Sequence, residues 1–371
     1  MKRGLIVAFA LAAAVAAPAL MMGDLVNARS AVSGAVYTMS NAVTGNEVLT
    51  FARQPDGQLL PASATPTGGN GSGAGLGNQA GLVLTQNERW LLAVNAGSDT
   101  VAVFEVDHAG LLLRDVEPSG GSQPISIAAH RDVVYVLNAL TDSIAGFRMT
   151  QDGMLDPIPG SMRSLSTAGA GAAQISFTPD GDVLVVTEKN TNKIVTFTVD
   201  RNGLTGPIQV HASNGATPFG FAFGKRDQLF VSEAFGGAPD ASAVSSYRVH
   251  ADGGLETISP SVGTTETAAC WVAVTPSGRF AYVTNTGSGS VSAYAIAFDG
   301  TIQLIGDGRS GITGDGSSPI DLAITADGRF LYTLNSGTHT IGVFQISRDG
   351  GLTPMPFVSG LPESANGMAA R

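Results

Sequence analysis

The chain has 371 residues, of which 13% are charged, 48 are glycine and one is cysteine. A formal charge of −10 excludes electrostatic binding to nucleic acid or to an anionic bilayer, because neutralising phosphates takes clustered Lys and Arg, and no such cluster occurs. With Cys270 alone there is no internal disulfide, so stability has to come from burial.

Residues 1–28 read as a signal peptide. Lys2 and Arg3 form a basic start, Leu5 to Ala17 an apolar stretch, and Val26-Asn27-Ala28 a small-residue cleavage site. The apolar run is too short for a comfortable span, so the expected product is secreted or periplasmic, with residues 29–371 as one domain.

From residue 35 onward one pattern repeats. VYTMSN ends at Asn41, WLLAVN at Asn95, VVYVLN at Asn138, VLVVTE at Glu188, QLFVSE at Glu233, FAYVTN at Asn285 and FLYTLN at Asn335. The separations of 54, 43, 50, 45, 52 and 50 residues match a propeller blade of four antiparallel strands. Period-two alternation cut by glycine excludes a helical solenoid. The expected fold is all-β, a seven-bladed β-propeller. Asp-Gly, Asn-Gly and Ser-Gly pairs recur at two turn positions, for example Asp180-Gly181 and Asp349-Gly350. They suit tight hairpins, which accounts for those Asp residues without a metal.

The first copy lacks a preceding strand, and SANGMAAR at 364–371 lines up with SPIDLAIT at 318–325. The C-terminal strand is therefore expected to become the innermost strand of blade 1 and to close the ring. Two connections depart from the repeat. Residues 65–79, TPTGGNGSGAGLGNQ, are glycine-rich and lack both the GK[ST] ending and a following helix that a phosphate-binding loop needs. They read as a flexible rim loop. In blade 5, AFGGAPDASA lengthens the turn after Glu233, beside the channel mouth, where loops tend to carry function.

In a propeller the ends of second strands and the starts of innermost strands share one face. That face gathers the seven Asn/Glu positions together with Gln123, Gln174, Phe219, Cys270, Trp271 and Asp321. Asn entering a Gly/Ser turn can bond its own turn's backbone, which explains the five Asn residues structurally. For Glu188 and Glu233 two readings stay open, as turn partners or as functional carboxylates beside the channel. His339 is the histidine of this face, without a sequence partner. No G-x-S-x-G, H-E-x-x-H or Cys/His spacing occurs. No cofactor is expected, and a divalent cation at the channel mouth stays open.

YVTN at 282–285 is the signature of the YVTN β-propeller repeat, and the repeats from about Ala35 to Arg371 resemble the seven-bladed lactonase family of 6-phosphogluconolactonase and 3-carboxymuconate lactonizing enzyme. The resemblance implies a propeller acting as a lactone hydrolase or a muconate-type cycloisomerase on a small polar ligand such as a lactone or organic acid. The family's Gly-Pro-Arg-His at the start of blade 5 falls on Thr217-Pro218-Phe219-Gly220, its following Glu on Glu233, and a family His on Gly171. The basic partners are thus replaced. Lactone opening needs a water activator and a stabilised oxyanion, and the candidate catalytic set becomes Glu188, Lys189 and Glu233. Phe219, Phe235, Trp271, Asn285 and Asp321 are the candidate ligand contacts. The competing reading is a non-catalytic envelope or surface propeller that binds protein or glycan.

Overall fold

The computed structural model describes residues 32–371; the signal-peptide reading of residues 1–28 lies outside them. Seven antiparallel sheets form the blades of a ring, as the repeat predicts. The innermost strands are Asn366–Ala370 for blade 1, then Leu82–Leu84, Pro124–His130, Ala172–Phe177, Pro218–Phe223, Ala269–Val274 and Pro319–Ile324. The second strands of blades 2 to 7 end at Asn95, Asn138, Glu188, Glu233, Asn285 and Asn335; that of blade 1 ends at Met39, just short of Asn41.

The C-terminal strand closes the ring. It pairs with Gly34–Met39 through Val36↔Ala370, Tyr37↔Ala369, Thr38↔Met368 and Met39↔Asn366. Arg53 reinforces the seam, its Nε donating to the Arg371 carbonyl at 2.9 Å and its guanidinium to the Ser33 carbonyl at 3.0 Å. Pairing the last strand with the first removes two open sheet edges, which are otherwise templates for aggregation.

The two repeated motifs are stapled together. Tyr282, the tyrosine of YVTN, is fully buried, and its hydroxyl donates to the Gly350 carbonyl in the Asp-Gly turn of the next blade at 2.9 Å. Tyr135 reaches Gly203 at 2.7 Å and Tyr332 reaches Gly57 at 2.9 Å in the same way. A buried phenol needs a partner. A carbonyl in a glycine turn, where no β-carbon blocks the approach, supplies one.

The mouth side has its own repeated geometry. Six of the innermost strands carry a β-bulge near their start, at Asn366/Met368, Pro124/Ser126, Ala172/Gln174, Pro218/Phe221, Ala269/Val272 and Pro319/Asp321. A bulge leaves backbone groups unpaired and redirects side chains. The residue just after the bulge then bonds the neighbouring blade's innermost strand. Ser126 Oγ accepts from the Ile175 amide at 3.1 Å. Gln174 pairs with Phe221 at both groups, its Oε1 accepting from the amide at 2.7 Å and its Nε2 donating to the carbonyl at 3.0 Å. Blade 5 has Gly220 at this place and no side chain to offer.

Candidate functional site at the channel mouth

The Asn positions hold turns. Asn95, Asn285 and Asn335 donate from Nδ2 to the hydroxyl five residues on, Thr100, Ser290 and Thr340, at 3.0–3.1 Å. Asn138 donates instead to the Ser119 carbonyl. Asn41 accepts from the Ser72 amide and donates to the Ala74 carbonyl, anchoring the glycine-rich connection. Asn285 is buried and donates from Nδ2 to Ser290 and Ser292.

Glu188 and Glu233 do the same work with acceptors alone. Glu188 is 0% exposed and accepts from the Ser166 amide, the Ser166 hydroxyl and the Thr191 hydroxyl. Glu233, also 0% exposed, accepts from the Gly215 amide, Ser245 Oγ and Ser261 Oγ. Each carboxylate thus takes three donors, which stabilises its charge away from water. Phe235, half-buried in the 3₁₀ turn Phe235–Gly237, and Glu233 both lie against Gly215: a β-carbon there would fall 2.2 Å from Glu233 Oε2 and 2.9 Å from the Phe235 ring. Both carboxylates are fully buried among these donors. His339 occupies the left-handed position of its hairpin, with φ 54°.

Lys189, Phe219 and Trp271 do come together, from blades 4, 5 and 6. Lys189 Nζ lies 4.8 Å from the Phe219 ring centre, and the Phe219 and Trp271 rings are 4.8 Å apart at 54°. No carboxylate pairs with the ammonium among the described residues. Burial holds the Lys189 amine down to about 8, because desolvation disfavours the charged form. Cys270 adjoins it, 7% exposed, its thiol pushed up to about 12 by burial. That thiol is inert.

The glycine-rich connection is no rim loop. Residues 77–79 cross the channel and bond the walls of three blades, 3, 4 and 6. Lys189 Nζ donates to the Gly77 carbonyl at 2.5 Å, and Trp271 Nε1 to the Asn78 carbonyl at 2.6 Å. Asn78 Nδ2 donates to the Ile125 carbonyl, and the Gln79 amide to the Ala173 carbonyl at 3.1 Å. Ile125 and Ala173 lie within the bulges, so the segment satisfies carbonyls that the sheet ladder leaves free. Gln79 also pairs with the Val272 backbone, its Nε2 donating at 2.7 Å and its Oε1 accepting at 3.1 Å. This copies the Gln174–Phe221 pair one blade on. A β-carbon on Gly220 would sit 2.1 Å from Gln79 Oε1, so the segment fills the place that Gly220 leaves empty.

Asp321 stands apart, in the channel wall at blade 7. It is 3% exposed and lines a cavity of about 250 Å³ with Gln79, Leu82, Leu84 and Met368. Its Oδ1 accepts from the Leu322 amide at 2.8 Å, and the Met368 amide of the closing strand is a further donor. Burial raises its pKa to about 8. The carboxyl is therefore mostly protonated at neutral pH. Among the described residues no group of three or more His, Cys, Asp or Glu converges as a metal site would. A larger cleft of about 460 Å³ lies between blades 3 and 4, on the opposite face among Asp180-Gly181 and neighbouring turns.

Of the residues named from the sequence the structure brings Lys189, Phe219 and Trp271 together; Asn78 and Gln79, which bond them or their neighbours, were not named. The available signal was the absence of any side chain at Gly220 beside a Gln174-type pattern.

A family profile described as a seven-bladed beta-propeller lactonase matches residues 26–255. The 6-phosphogluconolactonase of Yersinia pseudotuberculosis is 27% identical over 136 residues, covering 33% of this chain and 40% of that protein. That of Yersinia enterocolitica is 26% identical over 147 residues, covering 36% and 43%. The chain thus matches less than half the length of these relatives. Among solved structures, a 6-phosphogluconolactonase-like protein of Bacteroides fragilis superposes with TM-score 0.70 at 19% identity, covering 91% of this chain and 98% of its own. The periplasmic gluconolactonase of Pseudomonas aeruginosa gives 0.69 at 17%, covering 89% and 98%. At these identities the structural likeness speaks for the fold.

Proposed function

The chain belongs to the seven-bladed β-propeller lactonase family, and from that premise we propose that it binds and hydrolyses a sugar-acid lactone at the channel mouth, with Lys189 as the water-activating base. The observation that carries this is the half-buried Lys189 amine, without a carboxylate partner among the described residues and held down to about 8, beside Phe219 and Trp271. A neutral amine accepts a proton from water as the water oxygen bonds the lactone carbonyl carbon. The ring C–O bond then breaks, and the leaving alkoxide takes the proton back. Lys189 replaces the carboxylates in this role because Glu188 and Glu233 are fully buried.

Rates with gluconolactone and 6-phosphogluconolactone, the substrates that the relatives' names suggest, test the reading. Wild type should exceed spontaneous hydrolysis, and activity should rise with pH through about 8, as the amine loses its proton. Lys189→Met should lower kcat by about 10²–10⁴-fold. Equal rates for wild type and Lys189→Met would remove Lys189 from catalysis. The filled mouth favours a second reading, a non-catalytic envelope or surface propeller that binds protein or glycan. Saturable binding without turnover would select it. Export to the periplasm or medium belongs to the same proposal, and N-terminal sequencing of protein recovered from an envelope fraction tests it: a mature start near residue 29 supports export.

A further inference from the structure

We propose that residues 75–79 are a displaceable plug that stands in for the ligand, and that the ligand class able to displace it is a small polyhydroxy carboxylate or its lactone. This rests on the mouth being the ligand site, as proposed above.

The plug is held by polar contacts that a ligand can reproduce. Lys189 Nζ, Trp271 Nε1 and the Val272 amide each donate to an oxygen of the segment: the Gly77 carbonyl, the Asn78 carbonyl and Gln79 Oε1. The carbonyls of Ile125, Ala173 and Val272 each accept from it. Three donors, one of them cationic, face three acceptors around an indole. Such a lining suits a carboxylate or lactone carbonyl flanked by hydroxyls, each hydroxyl being both donor and acceptor. The Gln79 carboxamide already occupies the position of a planar carboxyl group.

The ends of the segment differ from its middle. Its root is tied down, with the Gly71 and Gly73 amides donating to the Ala42 and Asn41 carbonyls and the Gly97 amide to Asn70. Its exit is tied too, with the Ile127 amide donating to the Ala80 carbonyl and the Val94 amide to Gly81. Between them, Gly75 has nothing within 4 Å of a β-carbon position, and Gly77, at φ 59°, meets only the Lys189 Nζ. Such residues absorb a backbone rotation at little steric cost. The closed plug and a bound ligand compete for the same donors, so weakening one strengthens the other by the same factor.

The test uses the folded full chain at pH 8. Lys189 is acylated with an amine-selective reagent and followed by peptide mass spectrometry, with Lys193 and Lys225 as internal references. Gln79→Ala removes both contacts to Val272; Gln79→Glu keeps the size and the acceptor but cannot donate to the Val272 carbonyl. Lys189 labelling should accelerate about tenfold in Gln79→Ala, the worth of roughly one net hydrogen bond, and by less in Gln79→Glu. Gluconate should protect Lys189 in wild type, and its Kd should tighten in each variant by the factor seen in labelling. Wild-type labelling rates in both folded variants would overturn the plug. Faster labelling without protection by gluconate or 6-phosphogluconate would overturn the ligand class, and the proposed function with it, while the opening itself stood.

Discussion

Replacing Asp321 by Asn should make the propeller less sensitive to alkali. The folded-state pKa of Asp321 is raised from 3.8 to about 8, by burial first, with the Leu322 and Met368 amides opposing the rise. Between those two values the folded chain keeps a proton that the unfolded chain has released. Stability is thus fully present below about pH 4, falls as pH climbs and levels off above about 8. At about 1.4 kcal/mol per pH unit, going from pH 4 to pH 7 costs the fold on the order of 4 kcal/mol through this one group. Asparagine cannot ionise, and its Oδ1 can still accept from Leu322 and Met368, while its Nδ2 faces the cavity. Urea unfolding of both proteins from pH 5 to pH 9 reads the difference. The gap between variant and wild type should grow with pH up to about 8 and then stay constant. Parallel profiles across that range would refute the assignment of a buried, proton-holding acid to the blade 7 seam.

Deleting residues 365–371 removes four strand pairings, the Arg371 contacts of Ala35 and Arg53, and the Met368 donor to Asp321; thermal melting should fall steeply, and an unchanged melting temperature would sink the closure. Tyr282→Phe keeps the packing but orphans the Gly350 carbonyl, so chemical denaturation should show a loss of about 1–3 kcal/mol with the lactone rate unaltered. Glu233→Gln should cost about 1.5–3 kcal/mol, since it weakens charge-assisted bonds to Gly215, Ser245 and Ser261, and should leave kcat unchanged once the folded fraction is matched. A lower kcat in folded Glu233→Gln would return that carboxylate to the active site.

The blade count and the closing strand were legible in the linear chain, because every copy of the repeat repeats the same signals; the Asn residues do hold structure, but through nearby hydroxyls and, for Asn41 and Asn138, more distant groups rather than through their own turn's backbone. Alternation of apolar residues sets a strand, a glycine pair sets its turn, and Asn95 finds Thr100 five residues away. The YVTN tetrapeptide belongs with these: its tyrosine staples one repeat to the next, as Tyr135 and Tyr332 do in two other blades. Glu188 and Glu233 were ambiguous for a physical reason. A bulge in each facing innermost strand shifts the register, and periodicity cannot say where bulges fall.

The destination of the glycine-rich segment was decided only by the tertiary structure. Its composition carries no period, so nothing local distinguishes a loop at the rim from one laid across the channel. What places it is a set of free carbonyls in bulges of other blades and an empty position at Gly220, met by Gln79 on a neighbouring backbone 193 residues away. Asp321 was singled out in the sequence as a ligand contact, but its proton-holding character came from the closing strand and the cavity around it. Local chemistry built the blades; closing them into a ring determined which polar groups were left facing one another across the channel.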